Sequence, residues 1–347
     1  MKIAISIGSA YYDGEDWEDM LEFVEAADGM GIDSVWSAEA WGMDAVVALG
    51  VIAGRTKNIQ LGTGIMQISA RTPASTAMTA LSLNRVSNGR FKLGLGASGP
   101  QVVEGLHGAP FAKPLSRMRE YVDIVRQATR GERVQIDGEH FVLPRPGGEG
   151  KALRLSMPPS QVPIYLATLG TKSLELTGEI ADGWLGTSFI PERADAHLDH
   201  IRKGAERAGR SLSDIEIEVN SVLMVSDDVE GLLDRARQGM AFTLGAMGSA
   251  KTNFYNDAFC RSGWEEVSKE VQGLWIGGDK RAAIAAVPDE MLLQAYMIGT
   301  EDRVRERIRA FRDAGVQVFR LAPQGKTSKE RIANLEYQAD LIRSETA

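Results

Sequence analysis

Cysteine is nearly absent from this chain: Cys260 is the one cysteine in 347 residues. A lone thiol excludes an intrachain disulfide and any centre built from several thiolates, and it suits a reducing compartment. No histidine or asparagine partner is read beside it, so Cys260 is expected to be a packed thiol and not a nucleophile. Positive charge is also in short supply, with 39 Lys and Arg against 47 Asp and Glu, a net charge of −8. No Lys/Arg run offers the basic face that a polyanion requires, which argues against nucleic acid as a partner. No apolar run approaches the roughly 20 residues of a membrane helix. Met1–Ile7 enters a strand-like alternation directly, with no charged n-region or apolar signal segment, so a cytoplasmic location without membrane association is expected.

What is present is ordinary globular composition, 44% hydrophobic and 25% charged, with 37 glycines. Many glycines close short aliphatic runs, as in Leu61-Gly62-Thr63-Gly64 and Leu93-Gly94-Leu95-Gly96, and read as strand-to-loop exits. Ile3, Ile5 and Ile7 mark a first strand, and Trp17, Met20, Leu21 and Val24 recur at helical spacing behind it. The alternation continues with strands at Ser34–Ser37, Ile59–Thr63 and Phe91–Gly96 and helices at Asp44–Ile52 and Pro73–Val86, the latter with proline in its first turn. A helix marked by Met118, Tyr121, Val122 and Val125 precedes a hairpin in which Arg133–Ile136 and His140–Leu143 flank a two-residue Asp137-Gly138 turn. Further strands follow at Ile164–Ala167, around Trp184, at Ile215–Val222 and at Val316–Leu321. Only crossover helices can join neighbouring parallel strands, so eight such units predict a (β/α)8 TIM barrel. The reading is a single domain over 1–347 with a hairpin insertion at about 131–162 and a helical insertion at about 245–298 near the C-terminal mouth. In the second insertion Phe254, Tyr255, Phe259, Trp264, Trp275 and Tyr296 read as exposed. A two-domain doubly wound enzyme is the alternative, disfavoured by the lack of a Pro/Ser-rich linker.

Barrel chemistry belongs to the loops that follow strands. Those loops are Ser9–Tyr12, Ser37–Trp41, Gly64–Thr72, Ala97–Glu104, Ala167–Thr171, Leu185–Phe189, Met224–Ser226 and Ala322–Gln324. Gly94-Leu95-Gly96-Ala97-Ser98-Gly99 matches G-x-G-x-x-G literally, but it does not follow the first strand, and Glu120, about 20 residues on, falls in a helix stripe. Ser98 and Gly99 therefore read either as backbone yielding to a flat or anionic ligand or as a plain tight turn. Ala167, Thr168, Leu169, Gly170, Thr171 and Lys172 lead into a helix whose free N–H groups, with the Thr171 hydroxyl and the Lys172 charge, could hold a phosphate. An ordinary N-cap at Thr171 is the competing reading. Glu39 is the most interesting carboxylate at a strand end, either functional or simply ion-paired. His197, Asp199 and His200 share helical spacing but belong to an outer, solvated face, so no metal site is expected. No Ser-His-Asp or paired-carboxylate set stands out, which disfavours hydrolysis.

Several strings resemble one family. Val35-Trp36-Ser37-Ala38-Glu39-Ala40-Trp41-Gly42, Leu61 through Gln67 with Ala70-Arg71-Thr72-Pro73, and Asn88-Gly89-Arg90-Phe91 through Gly105 are similar to the bacterial luciferase-like monooxygenase superfamily. They most resemble its branch using the deazaflavin coenzyme F420, with methylenetetrahydromethanopterin reductase as the best-known relative. Pro163–Ala167 and Glu179–Trp184 extend the match, which is strong over residues 1–190 and weak in the second insertion. The resemblance implies a (β/α)8 barrel, a homodimer, a cofactor ring at the C-terminal mouth, and a non-proline cis peptide at Gly64-Ile65 forming a bulge against one ring face. It places the phosphate-bearing tail near Ala167–Thr171, another cofactor contact at Ser98-Gly99, and Glu39 beside the ring as a candidate proton relay. The histidine and glutamate that act as acid and base in sugar-phosphate dehydrogenase relatives correspond to Ala40 and Pro100, so that pair does not carry over.

The expected function is thus an F420-dependent oxidoreductase passing a hydride between deazaflavin and a small organic substrate. An FMN-dependent two-component monooxygenase using reduced flavin and oxygen is the alternative within enzymes. A non-catalytic cofactor-binding protein is the alternative outside them.

Overall fold

The computed structural model describes residues 1–7, 17–249 and 251–346; the Ser9–Tyr12 loop lies outside the described residues. Eight parallel strands carry the fold: β1 Lys2–Ile7, β2 Ser34–Ser37, β3 Gln60–Thr63, β4 Phe91–Gly96, β5 Ile164–Leu166, β6 Gly183–Gly186, β7 Glu216–Asn220 and β8 Val318–Leu321. Their order is β3-β2-β1-β8-β7-β6-β5-β4, and a β3–β4 pairing closes the ring. This is the (β/α)8 barrel that the alternation predicts. The chain divides into two compact units, Ser6–Ala167 with Ile180–Gly183, and Met1–Ile5 with Thr168–Glu179 and Trp184–Ala347.

In the first unit large rings lie over glycines. A Cβ at Gly62 would fall 2.2 Å from the Trp36 ring, and one at Gly183 would fall 2.0 Å from the Tyr165 ring. Trp36 and Tyr165 meet edge to face at 5.4 Å, so the glycines of the strand exits here make room for aromatics. Asn88-Gly89-Arg90-Phe91 serves the scaffold. The chain turns through positive φ at Asn88 and Gly89, and the Arg90 guanidinium donates to the carbonyls of Ala53, Thr56, Ile59 and Ser87. Asp28 accepts from the N–H groups of Lys57, Asn58 and Ile59. Burial opposes its ionisation, but those bonds and the Arg90 charge lower its pKa.

The hairpin differs from the two-residue turn expected at Asp137-Gly138. Asp137 is itself in the ladder, Ile136 pairs with Leu143 and Asp137 with Val142, and Gly138 N–H donates to Phe141 O. The loop is four residues long because Glu120, from the helix Pro114–Thr129, accepts from the N–H groups of Glu139, His140 and Phe141. A tertiary carboxylate overrides the local turn preference.

In the second unit the helix Thr171–Ile180 packs directly on Asp195–Arg207. A Cβ at Gly204 would fall 1.8 Å from Glu175 O, and one at Gly178 would fall 2.0 Å from Ile201 O. The buried Glu175 carboxylate collects Lys172, Lys203 and Arg207. Burial alone would raise its pKa, and these three partners instead lower it to about 2.

Two expectations are corrected here. His197 is not on a solvated face: it is fully buried, with ring centroids 5.5 Å from Trp184 and 5.8 Å from Phe189. Burial first, then the charges of Arg261 and His200, drives its pKa down to about 3. The helix turns this residue inward because the aromatic cluster behind β6 supplies an apolar seat. The second correction concerns the aromatics of residues 245–298. Phe259 is core, and Trp264, Trp275 and Tyr296 pack against the same cluster, which is built on Met240, Leu244, Val271 and Met291. Among the aromatics named for this segment, Phe254 alone is exposed. The long helix Val229–Ala246 offers the apolar face that covers them. The segment ends in a strand, Met297–Gly299, paired in parallel with Leu223–Val225.

Candidate functional site

In the first unit the loops after β2 and β3 are tied together. Glu39 N–H donates to Ile65 O at 3.2 Å and Gly64 N–H to Ser37 O at 2.8 Å. The Gly64-Ile65 peptide is cis, as the resemblance implied, and Gly96 on β4 leaves the space that the Ile65 side chain fills: a Cβ there would lie 2.9 Å from it. Gln67 Nε2 donates to the carbonyls of Glu39 and Ala40. Gln67 Oε1, Ser37 Oγ and Ser69 Oγ are buried without a partner, hydrogen-bonding capacity that the protein itself leaves unused.

Glu39 is held by a cation that sequence reasoning assigned no role. Arg71 Nη1 donates to both Glu39 oxygens at 2.6 and 2.7 Å, and Arg71 Nη2 binds Asp44. Asp44 in turn caps the helix Ala45–Arg55 by accepting from Val46 and Val47 N–H. Burial works against the Arg71 charge, but Glu39 and Asp44 outweigh it and raise its pKa. Tyr121 O–H donates to Arg71 O, and burial pushes that phenol up to about 12. Ser98 has φ 60 and precedes Gly99, which leads into the short helix Pro100–Gly105 without a side-chain cap.

Ala167 N–H extends the β4–β5 ladder onto Leu95 O at 3.0 Å. The following loop belongs to the second unit, and its carbonyls are all taken from behind. Trp184 Nε1 donates to Thr168 O, Arg261 Nη2 to Leu169 O, and Ser173 Oγ and Leu174 N–H to Gly170 O. Among the described residues no hydrogen bond occupies the N–H groups of Thr171, Lys172 or Ser173, the first turn of the helix. Lys172 itself is 69% exposed and turns back to Glu175 at 3.2 Å. The cation that reaches this loop is Arg261, whose other terminal nitrogen, Nη1, donates to Asp257 O at 3.1 Å. It finds no carboxylate partner among the described residues, and its Nε is buried without an acceptor. Burial lowers its pKa, with Asp257 opposing. The contact spans 92 positions of sequence, so no local signal could have revealed it.

Cys260 does have an asparagine partner, contrary to expectation. One helical turn earlier, Asn256 Oδ1 accepts from Sγ at 3.3 Å. Burial raises the thiol pKa, which keeps it a packed group. No group of three or more His, Cys, Asp or Glu able to hold a metal occurs among the described residues, and no described helix is long and apolar enough to cross a membrane.

A closed ring of eight parallel strands joined by helices defines a (β/α)8 barrel of the kind that carries enzyme chemistry on the loops after its strands. The luciferase-like monooxygenase family model matches residues 1–318, and the chain belongs to that family. A Mycobacterium tuberculosis protein named as a coenzyme F420-dependent oxidoreductase is 39% identical, over 92% of this chain and 94% of its own length. A 5,10-methylenetetrahydromethanopterin reductase of Archaeoglobus fulgidus is 31% identical, over 89% of this chain and 91% of its own. Among solved structures, the coenzyme F420-dependent tetrahydromethanopterin reductase of Methanopyrus kandleri superposes with a TM-score of 0.77 at 22% identity, covering 96% of each chain.

Proposed function

We propose that the chain is an F420-dependent oxidoreductase that moves a hydride between the deazaflavin and a small organic substrate. The observation that carries this reading is the loop Thr168–Lys172. Its carbonyls are tied back, its helix-start N–H groups are open, and Arg261 reaches it without a salt bridge to any carboxylate among the described residues, which suits a phosphate-bearing cofactor. A relative named for F420 use, aligned over nine tenths of the chain, supports deazaflavin over flavin. The unused acceptors Gln67 Oε1, Ser37 Oγ and Ser69 Oγ fit the polar edge of such a ring. When bound, the cofactor supplies hydride chemistry. In the proposal Gly64 and Ile65 back the ring, Ser98 and Gly99 make a further contact, and Ala167, Thr168, Leu169, Gly170, Thr171 and Lys172 form the phosphate loop with Arg261. Glu39 is the acidic group beside the ring. Its grip on Arg71 gives it a holding role in addition to the proposed proton relay.

Titrating the purified protein separately with F420 and with FMN, followed by fluorescence, tests the reading. Tighter binding of F420 supports it. Tighter binding of FMN, with oxygen consumed when reduced FMN is supplied, would replace it by the two-component monooxygenase. Binding of F420 without turnover of any reductant or oxidant would leave a binding protein. Glu39→Gln separates the two roles of that residue: lower turnover at unchanged affinity marks the relay, and a lower melting temperature marks the grip on Arg71. The proposal extends to a single working domain and a homodimer. Val47 and Val51 on one helix and Met78 and Val86 on the next are exposed apolar groups that a second copy would cover, and sedimentation velocity checks it.

A further inference from the structure

The inner face of β7 and β8 carries a charged group that the cofactor reading does not involve. Phe319 packs its ring 5.3 Å from that of Phe311 on the outer helix Glu301–Asp313. Side chains alternate along a strand, so Arg320 points the other way, into the barrel. Its register partners are Asn220 on β7 and the small Ala4 on β1. These residues and Tyr255 of the inserted segment belong to one compact unit. We propose that Arg320, with the Tyr255 hydroxyl and the Asn220 amide, forms a binding site for the carboxylate of a small organic monoanion that enters from the strand ends. The site stands on its own residues and does not depend on the cofactor reading.

Arg320 carries the inference. It is only 9% exposed, yet among the described residues its guanidinium makes no hydrogen bond. Its ion pair is loose: Nη1 stands 3.7 Å from Glu218 Oε1, beyond hydrogen-bond range. A guanidinium has five N–H donors, and one long ion pair does not compensate the hydration they lose on burial. Nor is the group sealed in. The Nε atoms of Arg261, Arg303 and Arg307 are buried without an acceptor, but no Arg320 nitrogen is among such atoms, so its donors remain within reach of an incoming molecule. Tyr255 stands close by. Burial raises its phenol pKa and the Arg320 charge opposes the rise, while burial lowers the Arg320 pKa against the opposing charges of Glu218 and Tyr255. The phenol therefore stays protonated and is a donor. Asn220, exposed at the end of β7, brings a second donor on the same inner face.

Register narrows the ligand. Glu218 pairs with Val318, two residues before Arg320, so it lies about 6–7 Å deeper along the strands. It holds the guanidinium from below, and a molecule arriving from the strand ends meets the opposite edge. A carboxylate bound there would be about half as far from the guanidinium as from Glu218, so attraction exceeds repulsion about twofold. A phosphate dianion fares worse, because the cost of removing its water rises about fourfold with the square of its charge while the attraction only doubles. A neutral amide gives up the charge-assisted bond. Two coplanar oxygens sharing one negative charge match the fork of an arginine, and the Tyr255 and Asn220 donors can take their remaining lone pairs.

The test uses butyrate, with butyramide as the neutral isostere and inorganic phosphate as the dianion. Saturation-transfer NMR on the full chain without cofactor should show butyrate in contact, bound at least about tenfold more tightly than either control. Arg320→Lys keeps the charge but loses the fork, and should weaken butyrate about tenfold. Tyr255→Phe should weaken it about 3–10-fold, one hydrogen bond lost. Glu218→Gln/Arg320→Met removes both charges, so that neither is stranded, and should abolish the butyrate contact with circular dichroism unchanged. Butyrate contact that survives in the double variant overturns the proposal, as does butyramide binding as tightly as butyrate. Equal affinity in Arg320→Lys and the wild type also overturns it, and that variant decides the matter if the double variant does not fold. If F420 fails to bind while butyrate follows the pattern above, the carboxylate site stands and the cofactor reading falls. If F420 binds and butyrate does not, the carboxylate site alone falls.

Discussion

The two units spend their polar groups differently. In Ser6–Ala167 the charged side chains near strand ends are engaged with the protein itself: Arg71 joins Glu39 to Asp44, Arg90 binds four carbonyls, and Asp28 holds three N–H groups. In the unit that includes Trp184–Ala347 some are left short: Arg261 at Nε and His197 at both ring nitrogens are buried without a partner. Satisfied groups stabilise and position loops, whereas spare ones either wait for a ligand or cost stability. His197 belongs to the second kind, since it is walled by aromatics and stays neutral. Arg261 keeps Asp257 O and Leu169 O as acceptors and has Nε alone to spare. The richest motifs in the sequence thus fall in the unit where Arg71, Arg90 and Asp28 are already paired, while Gln67 Oε1, Ser37 Oγ and Ser69 Oγ stay unused.

The contrast can be broken at several points. Arg71→Met should be the most damaging change. It strands two half-buried carboxylates and is expected to cost about 3 kcal/mol, read from urea denaturation, because removing one partner of a shielded pair leaves uncompensated charge. An intact denaturation midpoint would show that the loops after β2 and β3 do not depend on it. Gly204→Ala comes next. Its methyl collides with the backbone of Glu175, and about 2 kcal/mol of overpacking cost should separate the two helices. Arg261→Gln should weaken F420 about 10–30-fold, a charge-assisted bond lost, while Lys172→Ala should cost less than about threefold because Lys172 is exposed and already answers Glu175. Equal losses would move the phosphate toward Lys172. The smallest effect is a pH dependence. Glu175 is depressed from 4.5 to about 2, so its contribution is present above the unfolded value near 4.5 and lost as pH falls toward 2. Glu175→Gln should flatten that acid limb, measured as melting temperature between pH 5 and pH 2.

The barrel was readable because its signal is local. Gly62, Gly94 and Gly96 end or interrupt short aliphatic strands, and Pro73 and Pro114 open helices, so each β/α unit announces itself within a dozen residues. Failures occurred where a distant group decides. Asp137-Gly138 has the composition of a two-residue turn, yet Glu120 holds a longer loop. Phe259 and Trp264 lack a clean period, yet a helix more than a dozen residues earlier buries them. The helix start at Gly170-Thr171-Lys172 was legible as a loop after a strand, but the arginine tied to it was not, because Arg261 reaches Leu169 O only through the fold. Asn88-Gly89-Arg90-Phe91, one of the strings that identified the family, turns out to brace the foot of β4.

The parallel ladder between Leu223–Val225 and Met297–Gly299 has an evolutionary consequence. It pins the far end of the inserted segment to the same strand exit from which that segment departs. Insertions, deletions and helix swaps between Glu265 and Val287, past the Phe259 and Arg261 anchors, can therefore accumulate while position 296 keeps its register. That stretch behaves as a replaceable cassette on a fixed frame, and its sequence can drift across descendants without the barrel having to be solved anew.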